Sequence, residues 1–225
     1  MKILALETTE RIGSIALADS EEVLDEVQLP ANLRTAQSLA PAIRQSLDRV
    51  GWTPQDIELV AVTAGPGSFT GLRIGIATAK AFAYAVGAEV LVVDTHETLA
   101  LACPEEASLL ATAIDAQRGQ IVARTFERNG SGDLVPRCDS ELLDIGRWIE
   151  SLVPGARVTG PILARIADRL PPDCRPLPPE LWRPTAGNVA LLAHRQYAAG
   201  RRNDLWQLTP VYSRPSAAEE KRRAR

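Results

Sequence analysis

A carboxylate followed by two hydroxyls, Glu7-Thr8-Thr9, ends the first apolar run of the chain. At a strand end such a set can hold hydrated magnesium or phosphate oxygens, because carboxylates and hydroxyls are hard oxygen donors. A capped, hydrogen-bonded turn would use the same residues with no ligand at all. Asp115, in Asp115-Ala116-Gln117, is the counterpart carboxylate in the second half of the chain.

The second chemical candidate is the loop Gly65-Pro66-Gly67-Ser68-Phe69-Thr70-Gly71, which passes from an apolar run, Val60 to Ala64, into a helical pattern. A glycine-rich turn from strand to helix leaves backbone N–H groups uncovered at a helix start, where the helix dipole also favours an anion. No Gly-Lys-Ser/Thr follows to supply the lysine and magnesium ligand of a P-loop, and the spacing is not the dinucleotide fingerprint. A phosphate site at Gly65, Gly67 and Ser68 and a tight structural turn both remain open on these residues.

Metal and thiol chemistry find less support. His96 and His194 lack any metal-ligand spacing, and the segment from Asn32 to Val50 contains no histidine, which argues against zinc or iron. Cys103, Cys138 and Cys174 are odd in number and widely spaced, so neither a disulfide framework nor a metal knuckle follows. The formal net charge of -3 gives no global positive field for phosphate backbones. The basic tail Lys221-Arg222-Arg223-Ala224-Arg225 reads as a solvated terminus or as a nucleic-acid arm.

The elements that must position these residues follow from periodicity and turn signals. Strands are expected at Lys2 to Glu7, Ile12 to Ala18 and Glu22 to Leu29, a helix at Asn32 to Val50, a strand at Ile57 to Thr63 and a helix at Leu72 to Val86. Gly51 is the expected C-cap of the first helix, and Pro41 should kink or interrupt it. After a linking strand at Glu89 to Val93 the order recurs. Strands at Leu109 to Asp115, Gln120 to Phe126 and Leu134 to Cys138 precede a helix at Glu141 to Leu152, a strand at Arg157 to Thr159 and a helix at Ile162 to Leu170. A Pro-rich stretch, Pro171 to Pro184, leads to a last helix at about Ala186 to Ala199 and a strand-like Leu208 to Tyr212.

A repeated β-β-β-α-β-α unit in a chain of 225 residues predicts an α/β protein with two similar domains and mixed sheets, residues 1–100 and 101–225. The last helix belongs to the second domain or folds back on the first. With 45% apolar and 24% charged residues the composition is that of a globular protein and excludes disorder. No apolar stretch approaches the ~18 residues of a membrane span. The amino terminus shows no signal-peptide pattern, so a cytoplasmic protein is expected.

Two helices stand out. Leu33, Ala36, Leu39, Ala40, Ile43 and Leu47 form an apolar stripe on the first. The second, from Leu72 to Val86, has Arg73, Thr78 and Lys80 as its clearly polar side chains, so little of its circumference suits water. A sheet covers one side of such a helix. The other side needs a neighbouring helix in this chain or another chain, and its alanines permit close approach.

The segment Gly65 to Gly75, reading Gly-Pro-Gly-Ser-Phe-Thr-Gly-Leu-Arg-Ile-Gly, resembles the hallmark of the TsaB (YeaZ-like) family of threonylcarbamoyladenosine biosynthesis proteins. Three more segments share the resemblance: Ile3 to Thr9, Asp115 to Gln120 and Pro210-Val211-Tyr212-Ser213-Arg214. The resemblance implies the ASKHA fold, the duplicated actin-like and sugar-kinase-like architecture. It also implies an accessory subunit with no catalytic residues of its own. In the family this subunit pairs with its paralogue TsaD, which holds a metal and transfers threonylcarbamoyl from its adenylate to the adenosine next to the tRNA anticodon. The ATPase TsaE joins the pair, and TsaC makes the adenylate.

ATP and metal therefore fall to the partner subunits, no cofactor is assigned to this chain, and tRNA is reached through the complex. Where the catalytic relative carries a histidine pair at helical spacing, this chain reads Asn32-Leu33-Arg34-Thr35-Ala36-Gln37. Pairing in the family runs through the two N-terminal helices. The resemblance thus places the partner interface on Leu33, Ala36, Leu39, Ala40 and Ile43 of the first helix and on Leu72, Arg73, Ile76, Ala77, Lys80, Ala81 and Tyr84 of the second. A homodimer is the alternative pairing. Glu7, Thr8, Thr9, Gly65, Gly67, Ser68 and Asp115 become a vestigial nucleotide site. The competing expectation is a stand-alone ASKHA phosphotransferase with Glu7 and Asp115 near the phosphates.

Overall fold

The apolar run at the amino terminus forms β1 (Lys2–Glu7), the central strand of a five-stranded sheet in the computed structural model, which describes residues 1–213. A hairpin leads to β2 (Ser14–Asp19) and β3 (Glu22–Gln28), both antiparallel. Helix α1 (Thr35–Val50) crosses to β4 (Leu59–Gly65), parallel to β1, and α2 (Phe69–Val86) crosses to β5 (Glu89–Asp94), parallel to β4. The sheet order is β3-β2-β1-β4-β5. Helix α3 (Thr95–Leu101) follows directly from β5.

Residue alternation along β1 shows why its run is unbroken. Leu4 and Leu6 face a core built with Leu39, Ile43 and Leu47 of α1 and Ile76, Ala79 and Ala83 of α2. Ile3 and Ala5 face the other side. A strand covered on both faces must be apolar at every position.

The second half repeats the topology. Strands β6 (Leu109–Asp115), β7 (Gln120–Arg128), β8 (Leu134–Pro136) and β9 (Glu141–Asp144) precede α4 (Ile145–Ser151) and β10 (Arg157–Thr159). Helix α5 (Leu163–Ile166), a 3₁₀ turn at Ala167–Arg169 and β11 (Arg175–Pro176) complete it. The sheet order is β11-β10-β6-β7-β8, with β9 also paired to β7. Strand β10 lies parallel to β6 and β11, as β4 lies to β1 and β5, and β7 is antiparallel to β6 as β2 is to β1. Two mixed sheets with matching strand order give the α/β, ASKHA-type fold that the resemblance implies.

Helix α6 (Ala186–Ala198) changes the expected partition of the chain. Its Ala186, Val189, Ala190 and Ala193 pack on Ile3, Ala5, Ala16, Ala18, Leu59, Ala61 and Leu91, so it closes the second face of the first sheet. One unit therefore comprises Met1–Thr98 with Pro184–Val211, and the other runs from Leu99 to Arg183 and takes in Tyr212. Residues 101–225 are not one continuous domain. The sheet face left bare by α1 and α2 needs an apolar cover, and α6 supplies it.

Other departures have local causes. Glu141 to Asp144 pairs with β7, from Gln120↔Asp144 to Ala123↔Glu141, so the expected helix from Glu141 begins at Ile145: edge pairing overrides the helix propensity of Glu-Leu-Leu. Helix α1 runs unbroken through Pro41, because Pro41 and Gln37 both lie on the exposed side, where solvent can take the carbonyl that Pro41 leaves unbonded. It starts at Thr35, after a turn in which Leu33 N donates to Pro30 O at 3.2 Å. Gly51 closes it in the left-handed conformation, at φ 75°. Leu208 to Tyr212 is not a strand. It is tied down by Leu208 in the first core and by Val211 N donating to Ala64 O at 2.8 Å. Arg214 and the basic tail Lys221 to Arg225 lie outside the described residues.

Candidate functional site

The carboxyl ends of β1 and β4 bring Glu7, Thr8 and Thr9 against Gly65, Gly67 and Ser68. They meet in a closed joint. A side chain on Gly71 would collide with the Thr8 carbonyl oxygen, one on Gly75 with the Thr8 hydroxyl, and one on Gly67 with Cβ of Thr9. The Thr8 hydroxyl donates to Gly71 O at 2.9 Å, and Ser68 N donates to Thr9 O at 2.8 Å. Gly65, at φ 121°, lies against the Val211 carbonyl oxygen, 2.5 Å from where its Cβ would stand.

Ser68 is the N-cap of α2, its hydroxyl accepting from Gly71 N at 3.2 Å, so the helix starts at Phe69, earlier than periodicity suggested. The amides of Ser68 and Gly71 are thus already bonded within the chain. Glycine here serves the close passage of α2 over the end of β1. A P-loop needs the opposite, an open ring of N–H groups.

Glu7 is buried, 1% exposed. Its Oε1 accepts from Thr9 N at 2.7 Å, from the Thr9 hydroxyl and from the Thr63 hydroxyl at 3.5 Å. Its Oε2 is buried with no hydrogen-bond partner. Burial pushes the carboxyl up to about 7, since loss of water outweighs the Thr9 and Thr63 hydrogen bonds, and the nearby Glu10 charge adds to the shift. An enclosed carboxyl whose ionisation is held back by burial is poorly suited to magnesium, which requires anionic oxygens and retains several waters.

Asp115, in the other unit, ends β6. Its Oδ1 accepts from Gln117 N at 2.8 Å and its Oδ2 meets Arg165 Nη1 at 2.8 Å, so both oxygens are engaged locally. Among the described residues no group of three or more His, Cys, Asp or Glu side chains is arranged to hold a metal ion. His96 is fully buried in α3, and His194 lies in α6.

The two N-terminal helices divide the expected interface residues cleanly. Leu39, Ile43, Leu72 and Ile76 are 1–4% exposed; Leu39, Ile43 and Ile76 belong to the first core, and Leu72 is buried beside Gly65. Leu33, Ala36 and Ala40 on or before α1, and Arg73, Ala77, Ala81 and Tyr84 on α2, point outward, with Lys80 half-buried. Leu33 is 50% and Tyr84 68% exposed, unusual for side chains of this size.

Sequence periodicity missed Trp206. It is 70% exposed and meets Tyr84 edge-on, with ring centroids 5.5 Å apart. Lys80 Nζ anchors the same segment, donating to Trp206 O at 3.1 Å and Leu208 O at 3.4 Å. The aromatic character of Trp206 was visible, but its 122-residue separation from Tyr84 hid the pairing. No described helix is long and apolar enough to cross a membrane.

Comparison with known proteins places this arrangement. Residues 31–159 match the family model described as "TsaD: tRNA N6-adenosine threonylcarbamoyltransferase". The tRNA threonylcarbamoyladenosine biosynthesis protein TsaB of Bacillus subtilis (strain 168) is 32% identical over 154 residues, 68% of this chain and 66% of that protein. Its namesake in Escherichia coli (strain K12) is 32% identical over 134 residues, 59% of this chain and 58% of that protein. The matched region spans less than two thirds of either relative's length. The solved structure of YeaZ from Pseudomonas aeruginosa superposes with a TM-score of 0.80 at 27% identity, covering 94% of this chain and 99% of that one. Sequence and architecture agree, and the chain belongs to the TsaB (YeaZ-like) family.

Proposed function

We propose that this chain is a non-catalytic subunit of the cytoplasmic assembly that transfers threonylcarbamoyl to the adenosine next to the tRNA anticodon, and that it acts by pairing with the catalytic paralogue TsaD. The observation that carries this reading is the outward face of α1 and α2. It leaves Leu33, Ala36, Ala40, Ala77, Ala81 and Tyr84 at the surface, a set too apolar for a helix pair whose inner stripes already fill a core. Small residues let a partner's helices approach closely, and Leu33 and Tyr84 supply anchors.

The chemistry of the chain fits the same role. Asn32 to Gln37 offers no histidine pair, Glu7 is enclosed, and the glycine loop is packed on Thr8 and Thr9. In this reading metal and ATP belong to TsaD and to the ATPase TsaE, tRNA is held by the complex, and a homodimer forms only by the same face in the absence of the paralogue. A stand-alone phosphotransferase would need an open phosphate loop, and the joint at Gly67 and Gly71 leaves none there.

Purified chain mixed with the TsaD paralogue of the same organism should co-elute on size exclusion. The variant Ala81→Glu should not, while keeping its circular dichroism and melting temperature, since Ala81 is exposed in the free chain. Two folded proteins that never co-elute would overturn the proposal. Tight magnesium-ATP binding by the isolated chain in calorimetry would revive the phosphotransferase.

A further inference from the structure

One face of the second sheet gathers arginines that the fold leaves without a counter-charge. Arg157 of β10 and Arg175 of β11 are register partners on parallel strands, so their side chains leave the sheet side by side on the same face. It is the face of Leu110, Phe126 and Leu177. Val158 packs into the core on the opposite side, and the Thr159 hydroxyl, two residues beyond Arg157, donates to Leu181 O at 2.7 Å. Arg128 of β7, two residues beyond Phe126, shares the face.

Cys103 marks where two of these charges converge. Burial pushes its thiol pKa up, while the Arg128 and Arg157 guanidinium groups both lie near enough to pull it down, against a further rise from Glu106. Arg128 donates to the carbonyl oxygens of Ala107, Pro104 and Gly132, contacts that fix it and leave its charge in place. Arg157 is half-buried, and its Nε is enclosed with no hydrogen-bond partner. Among the described residues no carboxylate forms an ion pair with Arg128, Arg157 or Arg175. A guanidinium stays charged at any pH the fold survives, so Arg157 cannot relieve its burial by losing a proton. Like charges side by side and an unpaired buried donor both cost the free chain stability.

We infer that Arg157 and Arg175, with Arg128 adding charge beside Cys103, form a binding site for a phosphate-type dianion. The site lies within the second unit and is independent of the pairing proposed above. Phosphate fits it better than a carboxylate, because it carries about two negative charges at neutral pH and has enough oxygens to face two guanidinium forks at once. The enclosed Nε edge holds the Arg157 side chain in the fold. Its Nη1 and Nη2 fork is then left for the ligand, with little freedom to lose on binding.

Calorimetry of the full chain at constant ionic strength, with inorganic phosphate and separately with glycerol 3-phosphate, tests the site. Phosphate should bind with a Kd of about 1 mM or tighter. A monoester that binds as well or better marks a phosphate carried on a larger molecule, and one that binds about tenfold more weakly marks the free ion. Arg157→Met and Arg175→Ser should each raise the Kd at least about tenfold. Arg147→Ser removes an exposed cation from α4, on the opposite face, and should leave it unchanged. Circular dichroism checks each fold, and Arg175 is exposed, so its variant reads the site even where Arg157→Met loses structure. No binding of either ligand at about 10 mM overturns the inference. Binding that neither arginine variant weakens, or that Arg147→Ser weakens equally, overturns it too, since the anion then answers to another place or to net charge.

Discussion

Thr8 and Gly71 are locked together in both directions: the Thr8 hydroxyl donates to the Gly71 carbonyl at 2.9 Å, while the Thr8 carbonyl occupies the space where a Gly71 side chain would stand. The end of the central strand is thereby fixed to the first turn of α2. Whatever surface α2 presents to a partner is referenced to β1 through this contact.

The contact predicts a sharp difference between glycines. Gly71→Ala must push backbone from backbone, an overpacking cost of about 3 kcal/mol or more, for a melting temperature lowered on the order of 10 °C. Gly51→Ala meets nothing nearby, and its cost is confined to the left-handed conformation at φ 75°, roughly 1 kcal/mol. Thermal melts of the two variants side by side decide it. Equal losses would mean that the α2 glycines answer to conformation and not to the approach of Thr8.

Glu7 makes stability depend on pH in a set direction. Its folded pKa, about 7, stands above the ordinary 4.5, so the folded state holds its proton more tightly than the unfolded chain does. The stability contribution is complete below pH 4.5 and is lost as pH rises toward 7, beyond which the cost of the buried anion is constant. At 1.4 kcal/mol per unit of pKa this amounts to roughly 3 kcal/mol at most. Glu7→Gln keeps an oxygen for Thr9 and Thr63 but cannot ionise. It should melt higher than the parent at about pH 8 and close to it near pH 4.5. A melting difference that is the same at both values would show that Glu7 does not titrate in this range.

How far the sequence reached depends on what each element answers to. Lys2 to Glu7, Leu109 to Asp115 and Arg157 to Thr159 are strands at the residues expected, because short apolar runs bounded by turn residues report their own burial. Glu141 to Asp144 was misread because its conformation is imposed by β7, a partner that local propensity does not contain. The covered and open sides of α1 and α2 are hidden from the sequence for a different reason. When Leu72, Ile76, Ala77 and Ala81 are all apolar, a 3.6-residue period cannot say which side is covered, and only the sheet decides that Leu72 and Ile76 go inward. The loop glycines were legible as glycines, but their cause, the approach of Thr8 and Thr9, lies about 60 residues upstream.

Trp206 gives the partner face a reporter of its own. It stands 70% exposed, held against Tyr84 by edge-on ring contact and by Lys80 bonded to its carbonyl, so its position is fixed before any partner arrives. A pre-positioned, exposed indole next to small residues fits an interface anchor, which loses little side-chain freedom on binding. Trp206→Ala should then weaken binding to the TsaD paralogue by about 2 kcal/mol, some thirtyfold in Kd, with little change in stability because so little of the ring is buried in the free chain. Fluorescence supplies a second readout: of the four tryptophans, Trp148 is already buried at 3% exposure, so a blue shift on partner addition that disappears in Trp206→Phe assigns the buried indole. Undiminished affinity together with an unchanged spectrum would place Trp206 outside the contact and leave the Tyr84 pair a feature of the free surface.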